Sequence, residues 1–358
     1  MTMAASTGLA DLAQRTAELL AAQGVGAVVG AIRHGEVAFG AAGRSGGDHD
    51  RHPDAHTLFE IGSVTKVFTG LTLARRVVAG TVDLDEPVRA LLAAHAAVPS
   101  RDGREITPRH LATHTSGLPR LPRGALRRAM WRTPPDPYAP YTADVVLDGL
   151  SRTRLHAPPG DRFRYSNLGV GLLGLALATR AGTDFETLVA TDVCRPLGLV
   201  DTVVTVDERR LSRFAQGHTR RRRPTPPWHL AGLAGAGGLR STATDMVAFL
   251  GAQLGLEACR DPATTEAINL SREVTRPINR WTWVHLGWMG LRLHPRFGSA
   301  RQIWHNGGTG GFRSWVGLIP EKQAAVAVLT NTARSPDKHA FDLLRVLAFG
   351  GKLRTGRP

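Results

Sequence analysis

The chain has 358 residues and a net charge of +15, with 42% apolar and 21% charged residues. That balance excludes a disordered chain, and the length calls for two lobes or one large α/β domain. Among the 45 basic residues only Lys66, Lys322, Lys338 and Lys352 are lysines; the arginines are scattered apart from the run Arg220 to Arg223, so no basic stripe forms and no nucleic-acid partner is expected.

The chain order begins with a helix. Leu9, Leu12, Ala13, Leu19 and Leu20 follow helical spacing, and Thr7 is the candidate cap. Asp11, Gln14 and Glu18 interrupt any apolar run there, so no secretory signal is read and a cytoplasmic location is expected. No run of about 18 apolar residues follows, so no membrane partner is expected either. Residues 25–32 and 37–42 alternate as strands around His34-Gly35, a hairpin signal. Residues 45–56 read as a loop, and 64–79 as a helix ended by Gly80. A second apolar stretch covers 81–92. Residues 119–140 hold six prolines and read as a long surface loop.

Helices are predicted over 169–180, 185–193 and 244–254, the last capped by Thr242 or Thr244. Residues 196–206 read as a turn and short strand, and 220–228 as an exposed loop. Strands are predicted over 286–293, 303–306, 314–319 and 324–331, and a closing helix over 337–349. Strands at both ends with helices between them imply one antiparallel sheet built from both termini, with an inserted helical lobe. The two cysteines, Cys194 and Cys259, cannot build a disulfide framework and read as buried free thiols. No metal constellation or cofactor motif is assigned, and none is expected.

Three short elements carry chemistry. In Ser63-Val64-Thr65-Lys66 a loop enters a helix, and residues three apart on a helix share a face. Lys66 can therefore place its amine beside the Ser63 hydroxyl and activate it, provided burial lowers the amine's pKa. A capping serine with a solvated lysine is the plainer alternative. Tyr165-Ser166-Asn167 offers a phenol able to share a proton with a lysine and an amide able to orient substrate; an ordinary turn would look the same. His305-Asn306-Gly307-Gly308-Thr309-Gly310-Gly311 suits close backbone approach by a ligand, or a glycine-rich hairpin.

Taken together, in this order, the three resemble the serine β-lactamase-like family, in its class C β-lactamase, DD-peptidase and family VIII esterase branch. Class A members carry S-x-x-K, S-D-N and K-T-G; this branch has Y-x-N second, with H-x-G as a replacement third. Phe59-Glu60-Ile61-Gly62, Leu111-Ala112-Thr113-His114-Thr115-Ser116-Gly117-Leu118-Pro119 and Gly235-Ala236-Gly237-Gly238-Leu239-Arg240-Ser241-Thr242 also resemble family segments, so the likeness runs from residue 25 to residue 335. The resemblance implies a β-lactamase/transpeptidase-like α/β fold in a single domain. An α/β lobe (1–62 and 236–358) would flank a mainly helical lobe (63–235). It implies that Ser63 is acylated, that Lys66 and Tyr165 take and return its proton, and that the Ser63 and Gly308 amides form an oxyanion hole. Asn167 would orient substrate, and His305 would replace the third-motif lysine.

The chain departs from the family at Asn306, where a hydroxyl residue usually helps to bind a substrate carboxylate. Asn306, Gly307 and Gly308 remain candidate substrate contacts. Arg313 is the candidate to restore charge, with a solvent-facing arginine as the alternative. The expected partner is a small-molecule or peptide ester, amide or thioester. A hydrolase is the first reading. An acyltransferase or peptide cyclase using the same acyl-Ser63 is the second, and a true β-lactamase, a DD-carboxypeptidase or a non-turnover binding protein follow.

Overall fold

The computed structural model describes residues 8–48, 50–93, 96–121, 136–256 and 261–354. Eight antiparallel strands form the main sheet: β1 (Gly26–Arg33), β2 (Glu36–Gly43), β3 (Arg276–Pro277), β4 (Thr282–Val284), β5 (Met289–Arg292), β6 (Arg301–Gly308), β7 (Arg313–Ile319) and β8 (Ala324–Thr330). Their spatial order is β2-β1-β8-β7-β6-β5-β4-β3, so the N-terminal hairpin is zipped onto the C-terminal meander by the β1–β8 pairing. His34 and Gly35 both have positive φ (50° and 84°), the conformation that a tight two-residue hairpin requires.

Period-two alternation divides the sheet's side chains between two cores. Val28, Ile32, Ala325, Ala327, Leu329, Val316 and Leu318 face the large core shared with the inserted helices. Ala27, Val29, Ala31, Val326, Val328, Trp315 and Ile319 face a second core. Helices α1 (Leu9–Gln23) and α6 (Asp337–Phe349) pack on that second face. Between the two sheet segments run α2 (Thr65–Val78), α3 (Asn167–Ala181), α4 (Ala243–Gln253) and α5 (Pro262–Glu273). Helix α4 packs back onto β1 and β8, its first turn capped by the Thr242 hydroxyl accepting from Asp245 N. Burying alternate positions on both faces explains why β1 and β8 read as nearly continuous apolar runs.

The structure refines several sequence readings. The short strands β3 and β4 carry too few residues, and in β3 a proline, to show alternation. The 81–92 stretch yields only a short 3-10 turn, Val88–Leu91. The exposed 220–228 segment contains half of a two-strand hairpin, Gly217–His218 with Pro224–Thr225. Gly8 holds the N-cap of α1, while Thr7 lies outside the described residues, as do Cys259 and residues 122–135 of the proline-rich segment. Cys194 is buried, and burial pushes its thiol up to about 12, so it is inert as a nucleophile. Among the described residues no helix is long and apolar enough to cross a membrane.

Candidate active site

Ser63 sits in a 3-10 turn, Gly62–Val64, that runs directly into α2. The turn is clamped from two sides. Ile61 N donates to Leu239 O (3.1 Å) and Leu239 N to the Thr65 hydroxyl (3.1 Å), while the Ser314 hydroxyl on β7 donates to Ile61 O (2.6 Å). Gly62 has φ of +49°, and a Cβ placed on it would lie 2.5 Å from Gly308 N. The Gly308 amide therefore lies against the turn that carries Ser63, and only glycine permits that contact. Gly62→Ala is expected to push the two segments apart and lower kcat by about 100-fold, the cost of one misplaced oxyanion donor. Ester turnover measures the loss, and a thermal melt checks the fold.

In the first turn of α2, Lys66 is fully buried. Its Nζ donates to Asn167 Oδ1 (2.9 Å) and Ala236 O (2.6 Å) and lies 3.1 Å from Ser63 Oγ. Burial, reinforced by the positive charge of Arg120, holds its pKa well below the ordinary lysine value. Gly287, at φ +79°, brings the 286–287 turn against the Lys66 carbonyl, closing the back of the helix there. Tyr165 shares a side-chain hydrogen bond with Ser63, and burial pushes its phenol up to about 12. The Lys66 ammonium position lies 5.0 Å from the Tyr165 ring centroid. Ser166 caps α3, its hydroxyl accepting from Gly169 N, and this cap fixes Tyr165 and Asn167 on either side of it. Asn167 also donates from Nδ2 to the Tyr138 hydroxyl (3.2 Å).

His305 reaches the site from β6, its ring 6.4 Å from that of Tyr165. Its Nδ1 lies 2.7 Å from its neighbour's carbonyl, Asn306 O, and its buried Nε2 has no partner among the described residues. Burial, and then the Lys66 charge, push its pKa down to about 3, so it offers a neutral ring where the family's lysine would be charged. His114 completes the wall: its Nδ1 accepts from Ser166 N (3.2 Å), and its ring lies 4.5 Å from the Tyr165 ring. Gly307 and Gly308 lie against Ile61 and Gly62 respectively.

Two nominated residues are turned away. Asn306 donates from Nδ2 to Asp337 Oδ2 (2.9 Å) at the start of α6. Arg313 NH1 donates to the carbonyls of Thr309 and Phe312 (2.7 Å each) and is half-buried rather than solvent-facing. Side chains alternate along a strand, so His305 and Ser314 face the Ser63 turn while Asn306 and Arg313 fall on the α6 side. Both side chains are engaged within the protein, on the side of the strand away from Ser63.

The residue pattern did not single out Arg120, Tyr138, Trp228 or the Ala236 carbonyl. The Trp228 ring lies 5.1 Å from that of Tyr138, and its backbone N–H donates to Glu60 Oε1 (2.7 Å). Glu60 pairs with Arg240 (3.3 Å) beneath the Ser63 turn, with both side chains buried. Burial raises the Glu60 pKa against the lowering pull of Arg240.

The Beta-lactamase family model matches residues 12–350. The chain belongs to the Beta-lactamase family. It is a family of β-lactamase/DD-peptidase-type serine hydrolases. The chain is 30% identical over 294 residues to the D-alanyl-D-alanine-carboxypeptidase/endopeptidase AmpH of Escherichia coli K12, covering 79% of this chain and 73% of AmpH. It is 25% identical over 296 residues to penicillin-binding protein 4 of Amycolatopsis lactamdurans, covering 77% and 72%. The fold is similar to that of a β-lactamase/D-alanine carboxypeptidase from Pseudomonas syringae, with a TM-score of 0.78, 22% identity and coverage of 94% and 97%.

Proposed function

We propose that this member of the family cleaves an ester or amide bond through an acyl-enzyme on Ser63. The observation that carries the reading is the set of three partners around Lys66 Nζ. A neutral amine has two N–H groups and one lone pair. Asn167 Oδ1 and Ala236 O take the two N–H groups, so the lone pair is left for the Ser63 O–H. Lys66 is then the base, and Tyr165, held protonated, is the proton donor and relay beside it.

The reaction proceeds in two halves. Ser63 Oγ attacks the substrate carbonyl as its proton passes to Lys66. The tetrahedral oxyanion is held by the Ser63 and Gly308 amides. It collapses as the bond to the leaving group breaks, and the proton passes through Tyr165 to that group. Water repeats the sequence against the acyl-Ser63 carbonyl and frees Ser63.

The name of AmpH supports D-alanyl peptides as one substrate class. The neutral His305 and the averted Asn306 leave the third-motif strand without a charged or hydroxyl contact for a substrate carboxylate. Incubation with an aryl ester, a D-alanyl-D-alanine peptide and nitrocefin, with and without added amine, tests the reading. Ester or peptide is expected to be hydrolysed faster than nitrocefin. Efficient nitrocefin turnover without ester or peptide cleavage would instead make it a β-lactamase. Quantitative capture of the acyl group by the amine would make it a transferase.

A further inference from the structure

If the third-motif strand presents no charge to the site, an anionic substrate needs its cation elsewhere. His305 is neutral, Arg313 is committed to hairpin carbonyls, and Arg240 is buried on Glu60 and the Trp228, Val204 and Gly238 carbonyls. Arg120 differs from all three. It is exposed, immediately after the Leu118-Pro119 segment. Its backbone is pinned to the second motif, because its carbonyl accepts from Asn167 N (3.0 Å) and Leu168 N (3.2 Å). Its guanidinium carbon lies 5.7 Å from the centroid of the Tyr165 ring. Its charge acts on Lys66, Tyr165 and Tyr138 together, which places it at the mouth of the site.

Several other arginines, exposed or half-buried, are occupied by carboxylates. Arg104 is paired with Asp161, Arg109 with Asp85, and Arg213 with Asp201. Among the described residues no carboxylate pairs with Arg120. An arginine held by its backbone over the catalytic tyrosine, with a free planar fork of donors, is suited to bidentate capture of a carboxylate.

We propose that Arg120 determines specificity by anchoring a carboxylate on the substrate, taking over from the third-motif strand the recognition of negative charge. The proposal rests on the acyl-enzyme reading above. Tyr165 returns the proton to the departing group, so a cation above its ring lies on the leaving-group side. The preferred substrates are therefore esters or amides whose leaving group carries the anion.

The test compares 3-acetoxybenzoate with its methyl ester, which differ in the leaving-group charge. A second pair, the mono-p-nitrophenyl ester of adipic acid and its methyl ester, carries the charge on the acyl side. The quantity read is the ratio of kcat/KM within each pair, in which any common effect of the substitution on Lys66 or Tyr165 cancels. The wild type is expected to favour 3-acetoxybenzoate over its methyl ester. Arg120→Gln is expected to lower that ratio about tenfold or more, mainly through KM, the effect of one lost charge-assisted contact. Arg120→Lys is expected to keep part of it, and added salt to erode it in the wild type. A ratio unchanged in Arg120→Gln overturns the proposal, and so does a wild type that is indifferent to both anions. A preference that resides in the adipate pair alone overturns the leaving-group placement. Fluorophosphonate labelling of Ser63 is run alongside. A protein that labels but shows no charge preference loses only this proposal, whereas one that neither labels nor turns over any ester loses the acyl-enzyme reading as well.

Discussion

Ser63→Ala is expected to lower ester turnover by about 10⁵-fold or more, to the level left by binding and the oxyanion donors alone. The loss is large because the alternatives are poor. Cys194 is buried with its thiol pushed up, and the Tyr165 phenol is held protonated. The fold should survive, since the clamps on the turn run through Ile61, Thr65 and Ser314 rather than through the Ser63 side chain. An unchanged thermal melt alongside lost turnover is the expected pair of results. Turnover within tenfold of the wild type would mean that another group attacks the substrate.

Lys66→Met separates catalysis from stability. Turnover is expected to fall by about 10³-fold, the usual worth of a positioned general base. Stability is expected to change little, because relief of the buried amine is offset by the loss of its donors to Asn167 Oδ1 and Ala236 O. The Lys66 pKa is depressed in the folded state, so below its ordinary unfolded value the unfolded chain binds a proton that the folded chain releases. Lys66 therefore costs stability, most fully at pH below its folded pKa, and the cost fades as pH rises toward the unfolded value. Methionine fills similar volume without that cost. The wild-type rate should rise with pH as Lys66 loses its proton, and the alkaline limb should come only near the Tyr165 value of about 12. A rate that falls across the neutral range would remove Lys66 from the role of base. Denaturant midpoints at two pH values check the stability half of the prediction.

Much of the fold was legible because alternation and turn chemistry act locally. The His34-Gly35 hairpin, the β6 to β8 meander and the Thr242 cap each follow from a few neighbouring residues. The nucleophile and its base were legible for the same reason, since helical spacing alone puts Ser63 and Lys66 on one face. What failed was orientation. Asn306 was nominated from its place in a motif, but the strand's period of two sends it to Asp337 while His305 faces Tyr165. Arg313 fell on the same wrong side. What was missed came from segments without periodicity. Arg120, Tyr138 and Trp228 lie on loops, and the Ala236 contact to Lys66 is a backbone carbonyl, which no residue type advertises.

The central claim is a covalent intermediate on one serine, and intact-mass measurement of the trapped protein tests it most directly. The wild type, quenched in acid during turnover of a slow aryl ester, should gain the mass of one acyl group. Peptide mapping should place that group on Ser63, and Ser63→Ala should gain nothing. An adduct on any other residue, or one that persists in Ser63→Ala, would contradict the account.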